Sequence, residues 1–303
     1  MKSEARNPKS EGSPKSEIRN PKPDIRSPQS GVRQAVFSGR FYPSDPTELR
    51  DMVKGFLTGA GVMEGGPTRR QGCQWSQEGS PKAIIAPHAG YVFSGPVAGS
   101  AYAQFISARK EIRRVVLLGP SHYVAFAGLA ATSTTGFATP LGIVLENAGA
   151  REQIANLPQV RIFDAAHTHE HALEVQIPFL QVVLEEFSVV ALAVGEASAE
   201  EISQVIDALW GGAETRFVIS SDLSHFHDSE TARRLDAATA QAIEDLAPER
   251  VREQQACGRA PICGLLLAAR RRGLHARTLD LRNSSDTAGP RDRVVGYGAF
   301  AFG

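Results

Sequence analysis

Residues 82–91 read KAIIAPHAGY, four apolar positions in a row from Ala83 to Ala86 followed by Pro87, His88 and Gly90. A short apolar run with no polar alternation fits a strand covered on both faces, and the proline and glycine beyond it turn the chain sharply. The same order recurs in RRVVLLGPSHY (113–123) and RFVISSDLSHF (216–226), and FSVVALAVG (187–195) supplies a fourth apolar run. Between these runs lie helical patterns: EVQIPFLQVVLEEF (174–187), AEEISQVIDALW (199–210), ETARRLDAATAQAIEDL (230–246) and PICGLLLAARRR (261–272). Strands that alternate with amphipathic helices predict an α/β fold, a mostly parallel sheet with helices on both faces, giving three layers in one domain. HARTLDLRN (275–283) and RVVGYGAFAF (293–302) read as two closing strands, an antiparallel edge. Upstream, SDPTELRDMVKGFL (44–57) offers Ser44 as N-cap, Pro46 in the first turn, and Leu49, Val53 and Leu57 at helical spacing.

The first 33 residues differ in kind. They repeat variants of NPKSE and IRNPK, carry eight Lys or Arg against four acids, and hold almost nothing large and apolar before Val32. Such a segment cannot bury enough surface to offset its ordering entropy, so residues 1–33 are expected to be a disordered tail and residues 34–303 the folded domain. Of the 33 basic and 33 acidic groups in the 303-residue chain, the body then keeps 25 and 29. That slight acidity argues against a nucleic-acid partner. No apolar run reaches the 18 or so residues of a membrane span, and the charged N-terminus lacks the apolar stretch of a signal peptide, so a cytoplasmic location is expected. Three cysteines, Cys73, Cys257 and Cys263, are too few and odd in number for a disulfide framework.

Ligands of open α/β sheets gather beyond the carboxyl ends of the strands. Three apolar runs end in loops carrying His88, His122, and Asp222 with His225. Imidazole is the commonest metal ligand, and two histidines need a third anionic group to hold a divalent ion firmly. Asp222, Glu174 and Cys257 are the candidates. Cys257 precedes Arg259 and the first turn of a helix, surroundings that push a thiol toward thiolate. Cys263 is expected to pack in the helix face. His171 and Glu174, three residues apart, are expected to share a face and to orient ligands or substrate. His167, His169, His227 and His275 read as surface residues. No phosphate loop, nucleophile elbow or C-x-x-C pair is present in the sequence, and Ser94 lacks a placed histidine partner.

Six segments in order, FSGRFYPSDPTEL, PHAGYVFSG, LLGPSHY, HEHALEVQIPFL, SSDLSHF and CGRAPI, resemble the Memo family, the B component of the AmmeMemoRadiSam system. The resemblance spans residues 34–303. It implies a fold similar to class III, LigB-type extradiol dioxygenases, with His88, His122 and Cys257 as metal ligands where those dioxygenases use two histidines and a glutamate. It further implies His225 as acid/base histidine and Asp222 in the same pocket. Those dioxygenases hold Fe(II), and a thiolate in place of the carboxylate softens the site toward Cu(I), Fe(II) or Zn(II), so Fe(II) or Cu(I) is the expected ion. Ala172 replaces the usual serine of an EHSLE-type motif, and Ala260 replaces the histidine of CGRHP, which removes one side chain from any proton or metal role. The implied function is a mononuclear non-haem metal site in an oxygen-dependent oxidoreductase. The alternative is a non-catalytic metal- or peptide-binding protein acting with AMMECR-type and radical SAM partners.

Overall fold

The apolar runs become neighbouring strands at the centre of one sheet. The computed structural model describes residues 31–60 and 80–303. The strands are β1 (Val32–Arg33), β2 (Ala83–Ala86), β3 (Arg114–Pro120), β4 (Leu129–Ala131), β5 (Gly136–Thr139), β6 (Gly142–Glu146), β7 (Val160–Ile162), β8 (Ser188–Val194), β9 (Thr215–Ser220), β10 (His225–His227), β11 (Ala276–Asn283) and β12 (Val294–Phe302). Their order is β1-β5-β6-β8-β3-β9-β2-β12-β10. Pairing is parallel from β6 through β8, β3 and β9 to β2. The two closing strands pair antiparallel with each other, and β12 adds antiparallel to β2.

Alternation along each strand splits the interior into two cores. Ile84, Val115, Leu117, Val189 and Val218 face one side, where they meet Leu49, Val53, Val97 and Phe179. Ile85, Val116, Leu118, Val190 and Ile219 face the other, where they meet Ile202, Val205, Ile262 and Leu265. The first side is covered by helices Pro46–Gly59, Tyr91–Tyr102 and Ile177–Val183, the second by Ala199–Ala208 and Arg259–Arg271. The result is a three-layer α/β arrangement. Among the described residues, no helix is long and apolar enough to cross a membrane.

Several expectations shift. The cap of the first helix is Asp45, not Ser44: its carboxylate accepts from the backbone N–H groups of Thr47 and Glu48 at 2.9 Å each. The stretch 174–187 is not one helix; short helical pieces His171–Glu174 and Ile177–Val183 flank Val175 and Gln176. Helix Tyr91–Tyr102 (YVFSGPVAGSAY) escapes the periodic reading because small residues and Pro96 interrupt its pattern. Gly99 explains the composition, since a Cβ there would lie 2.7 Å from the Phe56 backbone oxygen, so glycine allows this helix to cross Pro46–Gly59. At the N-terminus the tail boundary falls too late: Val32 and Arg33 form β1, which pairs with β5. The remainder of the expected tail, residues 1–30, lies outside the described residues, as does Cys73.

Candidate metal centre

The strand order places the chemistry. β9 lies between β3 and β2, all three parallel, so the segments carrying His122, Asp222 and His88 leave the same edge side by side, and the one after β9 runs on into His225 at the start of β10. Histidines two strands apart start about 10 Å from each other across β9. Their rings close over its end to a centroid separation of 5.2 Å. Small residues make this approach possible, because β9 finishes in Ser220 and Ser221 follows it.

Ser220 does more than leave space. Its hydroxyl donates to the Ala172 carbonyl at 2.6 Å and accepts from Gln176 Nε2 at 2.8 Å. With its only hydrogen committed, Ser220 can meet His88 Nδ1, 2.8 Å away, only as an acceptor. His88 therefore carries its proton on Nδ1 and presents the lone pair of Nε2, which lies 3.2 Å from Cys257 Sγ. Burial, and then the neighbouring His122 and His171, hold the His88 pKa well below its ordinary 6.5.

His122 is fixed in the same sense by a residue the sequence did not single out. Glu170 Oε1 lies 2.8 Å from His122 Nδ1, and Glu170 Oε2 accepts from the His122 backbone N–H at 2.6 Å. Burial opposes ionisation of Glu170, but hydrogen bonds from His122 and the Ala172 N–H outweigh it and hold the carboxyl below its usual value. Its place beside His171 in HEH was the available signal. His171 stacks on His122 at 4.6 Å and meets His88 edge-on at 5.3 Å.

Cys257 comes from the opposite side of β9, on the loop before helix Arg259–Arg271. Gly258 permits the approach, since a Cβ there would lie 2.6 Å from Ser221 Cβ. The thiol is not pushed toward thiolate as expected. Burial and then the Asp222 charge raise its pKa, and Arg259 turns its Nε to the Val251 carbonyl at 2.7 Å. The Asp222 backbone N–H donates to the sulfur at 3.2 Å.

Among the described residues, His88, His122 and Cys257 offer ligand atoms all within 4.8 Å of one another, and His122, Glu170 and His171 form a second such group. Tetrahedral bonds of about 2.0 to 2.3 Å set ligand atoms about 3.5 Å apart, so the first group is compatible with one ion. Its donor set, two imidazoles and a thiol, is soft enough for Fe(II), Cu(I) or Zn(II).

Asp222 is buried, accepts from the His88 N–H at 2.8 Å, and has its pKa raised chiefly by that burial. His225 is half-buried with Nδ1 2.8 Å from the Leu223 carbonyl, which only accepts, so Nδ1 carries the proton and Nε2 stays unbonded.

Glu174 behaves otherwise than expected. It accepts from Arg33 Nη1 at 2.6 Å, the Phe37 N–H at 2.8 Å, the Val36 N–H at 3.1 Å and the Tyr42 hydroxyl at 2.6 Å. A buried carboxylate needs this many donors, and they come from the N-terminal segment, so Glu174 anchors that segment and does not orient the loop histidines. The anchored segment in turn packs Phe41 against the His171 ring at 4.8 Å. His167 is another correction: it is buried, with Nε2 2.9 Å from the Ala130 carbonyl, whereas His169, His227 and His275 are exposed. Cys263 is buried in the core, and Ser94 is buried with its hydroxyl on the Ala89 carbonyl.

A sequence model of the family described as "Memo-like protein" matches residues 33–301. Similar curated proteins include "MEMO1 family protein" of Nitrosopumilus maritimus, 30% identical across 89% of this chain and 99% of the relative. Others are those of Aquifex aeolicus, 32% identical across 88% and 97%, and Aeropyrum pernix, 33% identical across 88% and 98%. Among solved structures, an uncharacterized protein, JW3007 of Escherichia coli K12, is similar at a TM-score of 0.45 and 13% identity, over 71% of this chain and 98% of that one.

Proposed function

The chain belongs to the Memo-like protein family, and from that premise we propose that it is a metal-dependent oxidoreductase of dioxygenase ancestry, its Fe(II) or Cu(I) held by His88, His122 and Cys257. One observation carries this reading. Both imidazoles are pinned through Nδ1, one by Ser220 and one by Glu170, so both Nε2 lone pairs are left for a ligand role beside the Cys257 sulfur. Structures that fix the far nitrogen of a histidine in this way orient it and raise its basicity as a ligand.

When bound, the ion supplies Lewis acidity and one-electron redox chemistry. The chain's own side chains do the rest. His225, with Nδ1 committed to the Leu223 carbonyl, offers Nε2 to take a proton from a substrate hydroxyl and return it. Asp222 holds the His88 loop through the backbone N–H and keeps a negative charge, or a proton, at the floor of the pocket. His225 rather than His171 is assigned as the base, because His171 is stacked on His122 and packed against the Phe41 ring.

The test is metal content of anaerobically purified protein. Wild type is expected to carry near-stoichiometric iron or copper, and Cys257→Ala and His88→Ala to lose it. His225→Ala is expected to keep the ion and lose oxygen uptake. Wild type free of metal under reducing conditions, or alanine variants that retain it in full, would overturn the reading.

A further inference from the structure

We propose that Glu170 is a positioning residue of this pocket and that its carboxylate, acting through His122, biases the site toward a divalent ion over Cu(I). The inference rests on the metal reading above and adds to it a residue that sets which ion is held. Glu170 is only 2% exposed and turns both oxygens to His122. Oε1 faces His122 Nδ1 at 2.8 Å and accepts from the Ala172 N–H at 2.9 Å, while Oε2 accepts from the His122 N–H at 2.6 Å. An ionised carboxylate only accepts, so it fixes the Nδ1–H tautomer of His122 and leaves Nε2 for the ligand position.

Orientation alone does not call for a charge. At His88 the same task is done by a neutral hydroxyl, Ser220, at the same 2.8 Å. The carboxylate at His122 therefore brings something a serine would not, one buried negative charge. With two neutral imidazoles, a Cys257 thiolate and Glu170, the pocket carries two negative charges once the ion displaces the thiol proton. A divalent ion balances them, whereas Cu(I) leaves a net negative charge beside the buried His88 and Glu170, which is costly. Arg33 does not fill the deficit: its Nη2 donates to the Glu170 backbone carbonyl at 2.9 Å, but its charge is matched by Glu174 at 2.6 Å. Asp222, if ionised, adds a further negative charge and moves the balance the same way. Thiolate softness alone would favour Cu(I), so Glu170 opposes what the sulfur prefers.

Glu170→Gln isolates the effect. An amide oxygen at the Oε1 position can still accept from His122 Nδ1, but the amide nitrogen then faces the His122 N–H, donor against donor, and the charge is gone. Fe(II) and Cu(I) affinities of wild type, Glu170→Gln and Glu170→Asp would be measured anaerobically by chelator competition. In Glu170→Gln, Fe(II) affinity is expected to fall about ten- to a hundredfold, with Cu(I) affinity changing by less than about threefold and Glu170→Asp restoring most of the difference. A merely structural role would weaken both ions alike. Equal losses, no loss for either ion, or a larger loss for Cu(I) would overturn the proposal. If the amide variant does not fold, Glu170→Ser, a neutral acceptor of the kind that serves His88, takes its place. Metal-free wild type gives a separate readout by nitrogen-15 NMR: His122 is expected as the Nδ1–H tautomer, and the Nε2–H tautomer would overturn the positioning role. Wild type that binds neither ion would sink the metal reading itself; wild type that binds iron with selectivity unchanged in Glu170→Gln sinks only this inference.

Discussion

The two ends of the central strands are built from the same sheet and carry opposite chemistry. At the amino ends of β2, β3 and β9, basic side chains meet acids, aromatic faces and carbonyls: Arg114 pairs with Glu214 at 3.3 Å, Arg216 with Glu111 at 3.9 Å, and Lys82, its pKa lowered to about 8 chiefly by burial, donates to the Gly212 carbonyl at 2.7 Å while lying over Trp210. At the carboxyl ends, histidines, a thiol and small hydroxyl residues meet, and the Nδ1 atoms of His88, His122 and His225 bond away from a shared space. Long flexible cations can find partners in or near solvent, whereas short imidazoles held through one nitrogen cannot turn to satisfy the other. Imidazole lone pairs and a sulfur thus collect at the carboxyl end, where a ligand can bind them, whereas Arg216 Nε at the amino end, buried without a partner among the described residues, can only donate.

Three experiments probe this contrast, beginning with the largest effect. Glu174→Ala leaves the buried Arg33 charge, the Tyr42 hydroxyl and two backbone N–H groups without their acceptor. Removing one partner of a buried pair typically costs about 3 to 5 kcal/mol. Urea unfolding should register a loss of that size, and a loss under about 1 kcal/mol would mean the N-terminal segment is held by something other than its carboxylate anchor.

Acid should act on the carboxyl-end region through histidines that are buried uncharged. Burial lowers the His167 pKa from its ordinary 6.5 to about 4. Between those values the unfolded chain binds a proton that the folded protein does not, so stability falls as pH falls through that window. The shift amounts to about 3 kcal/mol at most from this residue. Unfolding curves for wild type and His167→Gln from pH 7 to pH 4 should therefore converge in acid or cross, with the variant losing less; parallel curves would remove His167 from the account.

The smallest change belongs at the amino end. Arg113 and Glu186 form an exposed pair at 2.8 Å with side chains 49% and 85% accessible. Arg113→Ala should shift stability by less than about 1 kcal/mol, and should leave metal content unchanged. A large effect on either would erase the distinction between the two ends.

The centre of the sheet and its two closing strands were legible in the sequence because the central strands are apolar runs closed by turn residues, a local signal that needs no partner to be read. The short strands β1, β4 to β7 and β10 were not legible. The loop histidines could be placed for the same reason, each following a strand in a parallel sheet. Long-range partnerships were not legible. Glu170 reaches a histidine 48 positions away, and Glu174 an arginine 141 positions away, although the two acids are four residues apart. No local rule tells which will face the pocket and which the N-terminal segment. The state of Cys257 misled for a related reason: a helix start and a nearby arginine are local features, but burial and the turn of Arg259 toward a carbonyl decide the thiol. Helix Tyr91–Tyr102 was hidden because its glycines answer to a crossing helix and not to its own periodicity.

Behind His88 runs a chain of bonds with a single permitted direction. Tyr102 donates to Gln176 Oε1 at 2.8 Å, and Gln176 Nε2 donates to both Ser220 and the Pro87 carbonyl, the latter at 2.9 Å. Because a carbonyl cannot donate, Pro87 forbids the Gln176 amide from flipping, and the Ala172 carbonyl likewise claims the one hydrogen of Ser220. The chain ends on peptide oxygens that neither release nor store a proton at ordinary pH. It is an insulator for protons, not a wire: His88 can be held through it but cannot discharge along it.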